Sequence, residues 1–209
     1  MSSSDGAIVL TATSGYVMLR TGDNALPQDA GDVLLPLARA AIARELGISL
    51  PARDDLPWLG QHGACFITVT EDERLRGCIG TLRPHRTLLE DVRSNAIAAA
   101  FRDPRFKALT AGEFGAVSLE ISVLSPLVPL SFADEQDALR QLRVGIDGIV
   151  FEYGHHSSTF LPQVWENLKE PAEFLANLKY KAGLPPDFWD RDVKLQRYTA
   201  AKWRERKEA

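Results

Sequence analysis

The stretch LRGCIGTL, Leu75 to Leu82, decides how this chain is read. Leucine and isoleucine suit a buried strand, yet an arginine, a cysteine and two glycines interrupt them. Side chains along a strand alternate between faces, so Arg76, Cys78 and Gly80 share one side and Leu75, Gly77, Ile79 and Thr81 the other. The alternation turns Leu75 and Ile79 towards a core and Cys78 away from it. Glycine inside a strand costs stability unless a bulge forms or something must come close to the backbone. Gly77 and Gly80, on either side of Cys78, therefore mark either a bulge or a place of close approach.

The residues just before it explain how such a strand is held. In ACFITVT (Ala64 to Thr70), Cys65, Ile67 and Val69 alternate with Phe66, Thr68 and Thr70, and the short turn EDER joins the two runs into a β-hairpin. With Thr70 opposite Leu75, Cys65 faces Gly80 and is a diagonal neighbour of Cys78. Such neighbours are about 7–8 Å apart, too far for an unstrained disulfide. A register slip of two residues would pair the cysteines directly, and both registers stay open.

Working outward, GDVLLPLARAAIAREL places Leu35, Ala38, Ile42 and Leu46 on one helical face, with Asp32 as N-cap and Gly47 as the stop. TLLEDVRSNAIAAAF is a second helix, opened by a capping box between Thr87 and Glu90 and ended by Pro104. The loop RDPRF that follows reads either as a solvated charge cluster or as an anion-binding loop. TAGE (Thr110 to Glu113) is another capping box, and AVSLEISVL is a strand with Glu120 on its polar face. Further on come a helix in SFADEQDALRQL, strands in GIVFEY and STFLP joined by GHHS, a helix in PAEFLANLKYKAG and a closing strand with a charged tail. The class is α+β. Residues 1–30 read as a loose N-terminal segment and 31–209 as a single domain with two lobes.

Composition narrows the function. The chain has 209 residues, 45% hydrophobic and 25% charged, enough for a sizeable core. A net charge of −4 argues against nucleic-acid binding, which needs a concentrated basic surface. The N-terminus MSSSDG lacks a signal-peptide pattern and the apolar runs are too short to span a bilayer, so a cytoplasmic location without membrane contact is expected. Two cysteines make no disulfide framework and no four-sulfur zinc site. His155 and His156 sit side by side on a turn with no further ligand at suitable spacing, and there is no glycine-rich phosphate loop. Neither a metal nor a cofactor is expected.

Taken in order, LRGCIGTL, AAFRDPRF, SLEISVLSPL, GIDGIVFEYG and TFLPQVWENLKEPAEFLANLKYKAGLPPDFW resemble the AmmeMemoRadiSam system protein A family, the microbial branch of the AMMECR domain family. The likeness runs from about the first helix to the last strand. It implies an α+β fold with an antiparallel sheet, surrounding helices and a smaller second lobe. It also implies partners, a Memo-like protein and a radical S-adenosylmethionine enzyme, but no settled activity. The family motif LRGCIG falls on Leu75 to Gly80 without substitution, and TFLPQV on Thr159 to Val164. Lys179 stands where some relatives carry cysteine, so no second catalytic thiol is implied there.

Two functions follow. As a binding module, the chain would take a substrate or partner in a cleft built from Arg76, Gly77, Gly80, Thr81, Arg105, Thr159 and Gln163, with the glycines admitting a backbone. As a cysteine-dependent enzyme it would use Cys78 as nucleophile or redox thiol and Glu120 as acid or base, with Arg76 and Arg105 binding an anionic group. Arg76 is then the cation that favours the thiolate. Against both stands the plainer reading of Cys78 as a small buried hydrophobe.

Overall fold

The computed structural model describes residues 26–205, and the hairpin organises the first half of them. Strands β1 (Cys65–Glu71) and β2 (Arg74–Gly80) run antiparallel. Asp72 and Glu73 turn the chain with φ of 45° and 63°, the left-handed pair whose twist matches the strands of a tight hairpin. Thr70 lies opposite Leu75, the first of the two registers left open, but Val69 then pairs with Gly77, leaving Arg76 as the extra residue of a bulge.

That one residue overturns part of the face assignment. Leu75, expected in the core, shares the face of Thr70 and is 44% exposed. Beyond the bulge Thr68 lies opposite Cys78 and Phe66 opposite Gly80. Cys65 is buried on the core side while Cys78 leaves the other face, so neither register of the disulfide question applies and both thiols are free.

The core face of the hairpin packs on helix α2 (Leu88–Phe101), whose capping box forms with both reciprocal bonds between Thr87 and Glu90. Helix α1 (Ala30–Glu45) begins two residues before Asp32; Asp29 holds the N-cap position without a side-chain bond. Its end matches expectation. Gly47 is left-handed, its N–H donates to Arg44 O and that of Ile48 to Ala43 O, the paired bonds that close a helix on a glycine. The N-terminal segment expected to be loose lies outside the described residues up to residue 25.

Strand β3 (Val117–Leu124) pairs with the other side of β1, and with β8 (Ala200–Arg204) the sheet order is β2-β1-β3-β8. The fourth strand, β8, comes from the end of the described chain. The expected single closing strand is in fact two, β7 (Lys194–Tyr198) and β8, belonging to different sheets. Trp203 of β8 packs on Gly31 of α1, where a β-carbon would meet the indole. Arg39 of α1 and Glu205 form a buried pair whose carboxylate also accepts from Leu119 N.

The chain thus forms two compact units, one ending at Val123 and completed from Ala201 on, the other Leu124–Ala200. The second unit has its own core. Its strands β4 (Val128–Pro129), β5 (Gly148–Tyr153), β6 (His156–Phe160) and β7 make an antiparallel sheet in the order β4-β7-β5-β6, with helices α3 (Glu135–Gln141) and α4 (Pro171–Lys181). Trp165 stacks on Phe174 at 3.8 Å between ring centroids, and Ile149, Phe151, Leu175 and Leu178 pack around them. Among the described residues the fold is α+β, as expected, with two four-stranded sheets rather than one.

Candidate functional site

The phase of the hairpin ladder decides what Cys78 presents. Thr81 N donates to Cys65 O, so Cys65 and Thr81 form a hydrogen-bonded pair and, counting along the strands, Thr68 and Cys78 a non-hydrogen-bonded one. In such a pair the side chains come close: Thr68 Oγ1 donates to Cys78 Sγ at 3.4 Å. On its other flank Thr68 lies opposite Glu120 of β3, and the Glu120 carboxylate meets Lys202 Nζ of β8 at 3.0 Å. A thiol, a hydroxyl, a carboxylate and an ammonium therefore form one row across all four strands of the sheet.

Glu120 is 14% exposed and Lys202 41%, so the row opens towards its Lys202 end. Reading the last residues as a charged tail hid Lys202. The signal was there in AAKWR: Trp203 is core, so alternation puts Lys202 on the opposite face with Glu120.

The backbone N–H and C=O of Cys78 point away from β1, out of the edge of the sheet. The N–H donates to Asp103 Oδ2 at 2.9 Å, and the C=O accepts from Arg105 Nη2 at 3.3 Å. Arg105 in turn holds both Asp103 oxygens, through Nε at 3.0 Å and Nη2 at 2.7 Å. The RDPRF loop is thus neither a solvated cluster nor an open anion site. Arg105 and the two backbone amides hold the Asp103 carboxyl well below the usual carboxylate range, against the opposing effect of burial. The Arg105 guanidinium is shifted upward chiefly by Asp103, with Cys78 adding to the effect.

The cation beside Cys78 is therefore Arg105, not Arg76. Arg76 is taken up by Glu113 Oε1, at 3.2 Å from Nε and 3.1 Å from Nη2, and by the carbonyl of Lys107 at 2.7 Å. Glu113 also closes the expected TAGE box with Thr110, without a helix behind it.

The glycines admit the chain's own atoms. A β-carbon on Gly77 would lie 2.0 Å from Ala99 O of α2, and one on Gly80 would lie 2.2 Å from the Phe66 ring. The expectation that they clear room for a bound backbone is corrected accordingly. Thr81 donates to buried Asp91 at 2.8 Å, and Asp91 also accepts from Cys65 N and from Arg86. This network joins the hairpin to α2, and burial, then the nearby Asp91 charge, pushes the Cys65 thiol up. Thr159 and Gln163 belong to the second unit, where the Thr159 hydroxyl donates to Ile149 O and sits 2.8 Å from Tyr198 OH, while Gln163 is exposed. His156 is the first residue of β6 and its Nδ1 meets Ala182 O at 2.9 Å. Among the described residues no group of three His, Cys, Asp or Glu could hold a metal ion.

The AMMECR1 family model matches residues 35–203. Over 180 residues the chain is 39% identical to a protein of Methanothermobacter thermautotrophicus, covering 84% of this chain and 94% of that one. It is 35% identical to Protein MJ0810 of Methanocaldococcus jannaschii, covering 84% and 90%. The crystal structure of uncharacterized protein PH0010 from Pyrococcus horikoshii matches with a TM-score of 0.77 at 35% identity, over 86% of this chain and 93% of that one.

Proposed function

This chain belongs to the AMMECR1 family, and from that footing we propose that it binds a substrate or partner over the outer face of its first sheet, around the LRGCIG strand. The observation that carries the reading is the row Cys78, Thr68, Glu120 and Lys202. Four different polar groups stand on one rigid sheet in a fixed order. Recognition would come from these side chains, because the outward N–H and C=O of Cys78 are already bonded.

A Memo-like protein and a radical S-adenosylmethionine enzyme are the partners that the family resemblance suggests, and they would supply or receive what is bound. The experiment compares small-molecule and peptide mass profiles in cells lacking this protein, in cells lacking the radical enzyme and in cells carrying Lys202→Ala. Coincident changes in all three support the reading. A profile in the Lys202→Ala cells that stays at wild type removes the row from it.

The hydroxyl at 3.4 Å from Cys78 Sγ, with the Arg105 cation beside that residue, favours a second reading in which the thiol reacts with the bound group. Glu120 would then act through the ligand rather than on Cys78, since Thr68 stands between them.

A further inference from the structure

We infer that the loop from Arg102 to Leu109 is an edge plug, which keeps β2 from pairing with β2 of a second copy of this chain. Strand β2 is the outer strand of its sheet, and an unpaired edge is a ready template for another strand. Here the loop takes the place of that strand. Asp103 accepts from Cys78 N and Arg105, two residues later, donates to Cys78 O, reproducing with side chains the accept-and-donate pattern of a neighbouring strand.

The loop is fastened at both ends. Arg102 N donates to Ala98 O at one end and Leu109 N to Ala100 O at the other, and Arg76 Nη1 reaches back from the strand to Lys107 O. The Asp103 side chain is only 2% exposed, a costly place for a carboxylate that is kept when its partners satisfy it. The edge under the loop is one that needs covering, since Leu75 beside it is exposed.

A second copy is the occupant that fits the bared edge. Antiparallel pairing about a two-fold axis at Cys78 joins each Cys78 N–H to the other's C=O, an isologous contact. The same register sets Arg76 opposite Gly80 and Arg74 opposite Leu82, so no two arginines face each other across the pair.

The test uses the whole chain with Asp103→Asn and, separately, Arg105→Ala, whose side chain is 55% exposed. Light scattering after size exclusion should show a concentration-dependent dimer in the variants beyond any in wild type. Amide exchange at Cys78 should quicken at least tenfold in the monomer. Bismaleimidoethane should then link the dimer through Cys78, because the proposed register sets the two thiols opposite each other. If Asp103→Asn fails to fold, Arg105→Ala carries the test. Wild-type mass with unchanged exchange in the folded variants overturns the inference, as does a dimer that does not link at Cys78 or a wild type already linked there.

Discussion

The carbonyl oxygen of Ala99 in α2 lies 2.0 Å from where a β-carbon on Gly77 would stand. The glycine is therefore the contact point between the hairpin and its covering helix. Gly77→Ala forces backbone apart and should cost about 3 kcal/mol or more, the upper end of overpacking. Gly80→Ala meets the Phe66 ring, Cγ included, so Phe66 must change χ1; because a side chain and not backbone gives way, it should cost less. Urea unfolding of the two variants gives the order, and a Gly80→Ala loss as large as that of Gly77→Ala would contradict it.

The two thiols should separate in alkylation. Cys65 is buried and its thiol is pushed up by burial and by Asp91, whereas Cys78 is partly exposed. Iodoacetamide labelling near pH 7.5, followed by mass spectrometry, should mark Cys78 first. Arg105→Ala should slow it about three- to tenfold by removing the neighbouring cation, and Arg76→Ala should leave it nearly unchanged. Equal, slow labelling of both cysteines until the protein unfolds would show that Cys78 is structural.

Asp103 ties stability to acid. Its folded pKa lies below the unfolded value, so its contribution is complete above about pH 4 and is lost as the pH falls through the folded value. Asp103→Asn should lower stability by about 1–3 kcal/mol at neutral pH. The gap from wild type should shrink steadily below pH 4 in denaturant titrations, and a gap constant with pH would exclude the ionised carboxyl as its source.

Tyr198 ties it to base. Burial pushes the phenol up to about 12, against the opposing bond with Thr159. A neutral phenol retained in the fold supplies stability that is complete below about pH 10 and is lost as the pH rises towards the folded value. Absorbance at 295 nm should show a late tyrosine ionisation as the pH nears 12. Tyr198→Phe should remove that late step and soften the alkaline loss of stability.

The buried pair of Arg39 and Glu205 should be costlier to break than to replace. Glu205→Ala strands the Arg39 guanidinium and Leu119 N and should lose about 3–5 kcal/mol. Arg39→Met with Glu205→Leu should lose less than the single change, as read from thermal unfolding.

What the sequence alone determined was local. Alternation in ACFITVT and LRGCIGTL made the hairpin, the Thr87 and Glu90 spacing opened α2, and Gly47 ended α1 at the expected residue. These follow from contacts within a few residues, where backbone geometry and side-chain chemistry suffice. Tertiary structure decided the rest, starting with the bulge at Arg76. Whether a strand gains an extra residue depends on what packs against it, here Ala99 from a helix more than twenty residues away, so Leu75 could not be placed from the alternation. The row was half legible: Cys78 and Glu120 could be assigned to polar faces, but Lys202 joins them only because β8 returns to the first sheet from the far end of the chain. The partner of Cys78 was misread for the same reason. Arg76 is its neighbour in sequence, whereas Arg105 is its neighbour in space, and charge acts over distance in space.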